Sequence, residues 1–311
     1  MNSATAKPKI IIICGPTGVG KTAVAIVLAQ HFNGQIIGAD SMQVYKHMDI
    51  GTAKPTAEEK TRVVHHMVDI VEPDESFDAA QYAKRAGAKI IELDQQHITP
   101  FVVGGTGLYI KALLCGLFDE KVSDPEVRDR LKTEADAHGI QCLYERLSGL
   151  DPDTAKRLHP NDAYRIFRAL EVVESTGQAI SKHHKNHGFL EQPFASLKIG
   201  LSMDRAGLYE RINTRVDAMI SAGFLDEIKG LLARGYSVDH KSMQSIGYRH
   251  LVDYIEGRLS WEECVRTLKR DHRRYAKRQL TWFGADAEII WKEPGQLNEM
   301  TDLINNFLGR T

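Results

Sequence analysis

Apolar positions occur early in the chain as short unbroken blocks and later as helical stripes. Four consecutive isoleucines, Ile10, Ile11, Ile12 and Ile13, read as a strand covered on both faces, the kind found in parallel sheets. A glycine-rich loop at 15–22 separates it from the apolar run 23–28, which opens a helix. Residues 35–39 read as a second short strand ending at Asp40. Residues 41–52 form a polar loop dotted with aromatic and apolar side chains. Residues 65–70 look like a third strand, followed by a Pro/Asp/Glu turn. Residues 77–94 have helical spacing, with Ser76 or Asp78 as cap. Residues 100–103 are a fourth strand, closed by Gly104, Gly105, Thr106 and Gly107 before a helix at 108–114. Strands alternating with helices imply a parallel α/β sheet.

Near residue 118 the pattern changes. Residues 123–176 contain no convincing strand and read as helices broken at Gly139, 149–152 and 159–160. A polar, His-rich loop spans 182–193. Strand character returns at 197–203. From Leu208 onward the chain is mostly helical, until 288–291 supplies another strand. The pattern predicts a parallel-sheet core, 1–119 and 197–311, interrupted by an inserted helical domain at 120–196. There is no internal repeat and no low-complexity tract.

Charge and composition narrow the picture. The 311 residues carry a net charge of −1, so an acidic or nucleic-acid partner has to be held by a local patch. Cys14, Cys115, Cys142 and Cys264 are far apart and make no C-x-x-C pair, which argues for reduced thiols and against a zinc site. The thirteen histidines have no metal-binding spacing, and the adjacent pairs His65-His66 and His183-His184 read as non-ligands. Apolar runs are too short to cross a bilayer, and residues 1–9 lack a signal core. These features predict a cytoplasmic protein without membrane attachment, and a monomer is expected.

The chemistry starts at 15–22. Gly15, Pro16, Thr17, Gly18, Val19, Gly20, Lys21 and Thr22 match G-x-x-x-x-G-K-[ST] between a strand and a helix. Glycines let successive N–H groups converge on one concavity, and the helix adds its positive end. Lys21 supplies a cation and the Thr22 hydroxyl can hold Mg²⁺. The loop calls for a diphosphate or longer, and the expected fold is a P-loop NTPase-like parallel sheet flanked by helices, with the all-helical insert. Ligands of such sheets bind beyond the carboxyl ends of the strands, where Asp40 and Thr106 also fall. Asp40 can ligate a metal through water, accept a proton, or merely shape a turn. Arg211 and Arg215, four apart, can clamp a diphosphate. From spacing alone, pairing with Glu210 and Asp217 is the stronger reading.

A basic run at 266–278 holds seven Lys or Arg against the single Asp271, a local net charge of +6. On a helix these cations cover most of the surface and leave Leu268, His272 and Tyr275 on the remainder. Cations interleaved with stackable rings suit nucleic acid, although a solvated basic face has the same composition. A second Arg/aromatic cluster lies at 159–168.

Taken together, these motifs resemble the bacterial tRNA dimethylallyltransferase (tRNA isopentenyltransferase) family over nearly the whole length. They are the loop 15–22, Ala-Asp-Ser-Met-Gln-Val-Tyr-Lys at 39–46, Asp-Ile-Gly-Thr-Ala-Lys at 49–54, and Val-Gly-Gly-Thr-Gly-Leu-Tyr at 103–109. His-Pro-Asn-Asp at 159–162, Arg-Ala-Leu-Glu at 168–171, Gln-Ser-Ile-Gly-Tyr-Arg at 244–249 and Lys-Arg-Gln-Leu-Thr-Trp at 277–282 complete the set. The first is shared with many nucleotide enzymes; those at 39–46, 103–109 and 277–282 are family-specific. The resemblance implies transfer of a dimethylallyl group from dimethylallyl diphosphate to N6 of adenine 37, beside the anticodon, in tRNAs reading codons that begin with U, with Mg²⁺ as cofactor.

The resemblance also implies roles for residues. The loop 15–22 would hold the diphosphate of the donor, Arg215 would be a second diphosphate ligand, Asp40 would take the amine proton, and Thr17 would stand near the reacting carbon. The tRNA anticodon stem-loop would be contacted by Asp40, Ser41, Met42 and Gln43, by Tyr164, Arg165, Ile166, Phe167 and Arg168, and by Gln244, Ser245, Ile246, Gly247, Tyr248 and Arg249. Further contacts would come from Lys277, Arg278, Gln279, Leu280, Thr281, Trp282, Phe283 and Gly284, and singly from Thr106 and Arg128. Gly284 departs from the family, which often carries a basic residue there. Competing expectations are a small-molecule kinase and a prenyltransferase of free adenine nucleotides.

Overall fold

The structure, a computed structural model, describes residues 7–116, 125–182 and 192–310. In chain order it runs β1 (Lys9–Cys14), α1 (Lys21–His31), β2 (Gly34–Gly38), α2 (Ala57–Arg62), β3 (His65–His66), α3 (Ala79–Gln95), β4 (Thr99–Gly104) and α4 (Gly107–Cys115). Then come α5 (Pro125–His138), α6 (Ile140–Leu150), α7 (Pro152–Ala155) and α8 (Ala163–Thr176). The chain continues with β5 (Ala195–Leu201), α9 (Arg205–Ser221), α10 (Phe224–Ala233), α11 (Tyr248–Ile255), α12 (Trp261–Gly284), β6 (Ile290–Lys292) and α13 (Leu297–Leu308).

The strands form one sheet in the order β3-β2-β4-β1-β5-β6, with every neighbouring pair parallel. The four isoleucines of β1 are 0% exposed, as a strand flanked on both edges and covered on both faces requires. Ile11 and Ile13 pack with Leu28 and Phe32, with Leu208 and Ile212 of α9, and with Met300 and Ile304 of α13. Burying each such side chain is worth roughly 1.5–3 kcal/mol. Register sets up the site. Cys14 lies opposite both Gly104 and Gly200, and Gly38 lies opposite Val103. The carboxyl ends of β1, β2 and β4 are therefore level, and the segments that follow them emerge at one sheet edge.

The chain divides into two compact units, Met1–Leu114 with Pro193–Thr311, and Cys115–Gln192. The second has its own core of Leu131, Leu143, Leu147, Ile166 and Leu170. Its helices break where glycine and proline stand, at Gly139 and Pro152.

Two expectations are corrected. The third strand covers only His65–His66, because Met67 and Asp69 take positive φ and the Asp69 carboxylate is drawn to Lys54 and Lys60. The segment 41–52 is packed rather than a solvated loop: Val44, Tyr45 and Met48 are buried, and Tyr45 bridges to Val71. The boundary near 118 and most of the His-rich stretch, including His183 and His184, lie outside the described residues. Among the described residues no helix is long and apolar enough to cross a membrane, no His/Cys/Asp/Glu cluster forms a metal site, and all four cysteines are free thiols.

Candidate active site

The loop after β1 can curl because Gly15 carries no side chain. Its φ is +137°, and a Cβ there would stand 2.5 Å from the Leu201 carbonyl oxygen. Gly20, at φ 103°, turns the chain into α1. Lys21 Nζ donates to the Pro16 carbonyl at 2.8 Å, which folds the ammonium over the loop. Lys21 is partly open to the cavity yet enclosed by protein. That burial, and then the nearby Arg215 charge, pull its pKa down to about 8, with Asp40 opposing.

Beyond the loop lies a cavity of about 520 Å³, within the size range of small-molecule sites. Lys21, Arg211 and Arg215 enter it as cations, and Asp40 and Glu59 as acids. Glu59 is spent locally, accepting from the Thr56 N–H at 2.8 Å in a capping box. Asp40 Oδ1 accepts from the N–H groups of Met42 at 2.8 Å and Gln43 at 3.3 Å. One carboxylate oxygen shapes the turn, as the turn-former reading expects, and the residue also lines the cavity. Thr106 Oγ1 accepts from Ser41 N–H at 3.0 Å, tying the Asp40 turn to the turn after β4.

The ion pairs expected from spacing for Arg211 and Arg215 are not what forms. Asp217 pairs with Lys269 instead. Arg215 donates to Thr17 Oγ1 at 3.4 Å, and Arg211 approaches Gly20. Both sit on the face of α9 that looks into the cavity, because Leu208, Ile212 and Val216 commit the neighbouring face to the core. Burial lowers the Arg215 pKa, with Asp40 opposing.

The stretches expected to touch RNA divide by helical face. In α12, Lys277, Arg278, Thr281, Trp282 and Gly284 are exposed, whereas Gln279 and Phe283 point inward and Leu280 packs against the sheet core. In α8, Tyr164 is 67% exposed, but Ile166 is fully buried and Phe167 packs on the same core. Arg165 and Arg168 are paired with Asp162 and Glu171. Arg128 lies over the Tyr164 ring at 5.9 Å. In the 244–249 segment, Ser245 and Ile246 line the cavity with Tyr248. Gly247 has φ 100°, and Arg249 reaches Asp271 at 2.9 Å. Ile166 and Phe283 are turned into the protein, and Gln279 is turned toward the cavity, since a helix presents one face at a time.

The cations of the basic run are partly paired. Arg266 pairs with Glu263 and Lys269 with Asp217, while Arg270, Arg274 and Arg249 surround Asp271. Arg273 donates to Asn213 Oδ1 at 2.7 Å. Lys277 and Arg278 have no acidic partner among the described residues, and Arg278 lies against the Tyr275 ring at 5.6 Å.

Some cavity residues were not assigned to the site from the sequence. His272 and Tyr275 line it, and His272 Nε2 is buried without a partner. Their spacing with Gln279, at i, i+3 and i+7, marks one helical stripe, but the basic run masks it. Glu227 is a second omission. It accepts from the N–H groups of Asp49, Ile50 and Gly51 at 2.8, 2.7 and 3.2 Å and from the Tyr248 hydroxyl at 2.7 Å. It thereby pins the 49–53 segment, whose Gly51, Thr52 and Ala53 form one wall of the cavity.

The donor set suits Mg²⁺, which keeps waters and takes one or two protein oxygens plus substrate phosphates. The Thr22 hydroxyl and the Asp40 carboxylate are both in the cavity lining.

A sequence model of the IPP transferase family matches residues 43–286. The chain is 54% identical to the tRNA dimethylallyltransferase of Desulfosudis oleivorans, covering 97% of this chain and 96% of that one. It is 51% identical to the protein of the same name from Desulfatibacillum aliphaticivorans, covering 97% and 99%. Among solved structures, the tRNA isopentenylpyrophosphate transferase of Bacillus halodurans superposes with a TM-score of 0.74 at 42% identity, covering 97% of each chain. A eukaryotic dimethylallyltransferase captured acting on tRNA superposes with a TM-score of 0.83 at 30% identity, covering 97% of this chain and 79% of that one.

Proposed function

The chain belongs to the IPP transferase family and is a tRNA-prenylating enzyme; on that premise we propose that it carries a dimethylallyl group from dimethylallyl diphosphate to the N6 amine of adenine 37. The observation that carries this reading is the polarity of the cavity: Lys21, Arg211 and Arg215 converge on the glycine loop, and Asp40 faces them from the end of β2. A diphosphate placed on the loop meets backbone N–H groups, the α1 N-terminus and these cations. As the C1–O bond breaks, that array receives the growing negative charge on the leaving diphosphate, which is electrostatic stabilisation of the departing group. As the N6–C1 bond forms, the amine turns cationic and gives its proton to the Asp40 carboxylate acting as general base. Thr17, held by Arg215, stands over the loop beside the reacting carbon.

Mg²⁺ bound by Thr22 and the diphosphate, within reach of Asp40, would supply further charge neutralisation at the leaving group. The adenine reaches Asp40 by leaving its stack, at a cost of a few kcal/mol. On the RNA side, exposed Lys277, Arg278 and Trp282 offer charge and a stacking ring, and the unit Cys115–Gln192 offers Tyr164 and Arg128. The decisive experiment is incubation with unmodified tRNA, Mg²⁺ and labelled dimethylallyl diphosphate, followed by nucleoside mapping. Label on N6 of adenine 37 is the expected outcome. Label on AMP but not tRNA, or phosphoryl transfer from ATP, would overturn it.

A further inference from the structure

Helix α12 does more than face RNA. Tyr275, Gln279 and Trp282, at i, i+4 and i+7, run down its inner edge and close onto the Gly104–Gly107 turn. The Gln279 side chain is 5% exposed. Its Oε1 accepts from the Thr17 N–H at 2.8 Å, and its Nε2 donates to the Gly105 carbonyl at 2.9 Å. Tyr275 lines the cavity beside Gln279. A Cβ on Gly105 would overlap Gln279 Nε2, and one on Gly107 would overlap Trp282 Nε1. The family-specific motifs at 103–109 and 277–282 are therefore two halves of one joint. The glycines of the first are vacant where the side chains of the second sit. Thr17 is gripped twice, at its amide by Gln279 and at its hydroxyl by Arg215.

We propose that Gln279 is a positioning residue for the transfer step, holding Thr17 in register with the leaving group by joining the glycine loop to the β4–α4 turn from α12. The inference rests on the prenyl-transfer reading of the same cavity. It narrows the role of the 277–284 stretch: Lys277 and Arg278 are its outward members, Trp282 straddles the edge with its Nε1 against Gly107, and Gln279 acts inward on the chemistry. The residue type follows from the bonding. One planar group has to accept from an N–H and donate to a carbonyl at once, which only a carboxamide side chain does, and Asn is one methylene too short. Glutamate keeps the acceptor and loses the donor; methionine keeps the shape and loses both.

The test compares Gln279→Met and Gln279→Glu with the full-length wild type in the tRNA prenylation assay. Loss of register at a reacting centre costs up to about 10²-fold, so Gln279→Met should lower kcat by roughly 10- to 100-fold. The KM for tRNA should stay within about twofold, and the affinity for inorganic diphosphate within about threefold. Gln279→Glu, which can still accept from Thr17, should recover part of kcat. If Gln279→Met does not fold, Gly105→Ala perturbs the joint from the other side and should show the same kcat-only signature. A loss confined to the KM for tRNA would make Gln279 an RNA contact. A fully active Gln279→Met would leave it no role; either result overturns the inference. A wild type that binds diphosphate but prenylates no tRNA would instead overturn the reading beneath it.

Discussion

The arginines of α9 and those of α12 carry the same charge and stand on helices that pack together, yet the structure treats them differently. Among the described residues Arg211 and Arg215 form no ion pair that removes them from the cavity, and burial lowers the Arg215 pKa. Along α12, Arg266 pairs with Glu263, and Arg270 and Arg274 share Asp271. In the sequence the second group is the conspicuous one, a run of seven cations, and the first is a pair with acids close by. The difference teaches that a cation's availability is set by which acid reaches it in space. Lys269 takes Asp217 from 52 residues away, and that frees Arg215 for Thr17.

Breaking the contrast at its strongest point should have the largest effect. Arg215→Gln removes a preorganised cation from the leaving group, and turnover should fall about 10²- to 10³-fold. The same charge change at exposed, paired Arg266 should leave turnover within about twofold, since surface pairs contribute little. Equal losses in single-turnover assays would dissolve the distinction. Asp40→Asn comes next. Asn keeps an oxygen for the Met42 and Gln43 amides, so the turn survives while the base is lost. Turnover should drop by about 10²-fold or more with tRNA affinity retained; normal turnover would remove Asp40 from proton transfer.

The unpaired end of α12 should show a moderate effect. Replacing Lys277 and Arg278 with Gln should weaken tRNA binding and flatten the log–log salt slope by about 1.5. An unchanged slope would move the RNA elsewhere. The smallest effect is on stability. Burial first, then the charges of Arg215 and His250, push the His272 imidazole down to about 4, with Asp271 opposing. An unfolded histidine binds its proton near 6.5, so between pH 6.5 and about 4 the unfolded chain holds more protons. Stability should therefore fall as pH drops through that window and stop falling from this cause below it. His272→Gln should flatten the fall, read as urea midpoints at pH 7.5 and 5. Asp271 acts in a different window. Burial opposes its ionisation, but the hydrogen bonds from Arg270 and His250 outweigh burial and bring it to about 2. Its contribution is present above pH 3.8 and lost only as pH falls toward 2.

Local physics wrote the cradle into the chain. An unbroken isoleucine block can only be a two-faced buried strand, and the glycines at 15, 18 and 20 hold positive φ that other residues rarely adopt. The glycine loop between a strand and a helix was accordingly legible, as was the parallel α/β alternation of the sheet. Strand β3 was overread because Lys54 and Lys60, distant in the chain, bend it at Asp69. A linear segment does not say which side of a helix turns inward, so the stretches at 164–168 and 277–284 hold buried Ile166, Gln279 and Phe283 beside neighbours that face out. The sequence alone therefore determined the glycine cradle after β1 and the carboxylate that follows β2, since both follow from residue types over a short stretch. The tertiary structure alone decided which arginines stay free and that Gln279 bolts the glycine loop to the turn after β4, since both depend on contacts between segments up to 262 residues apart.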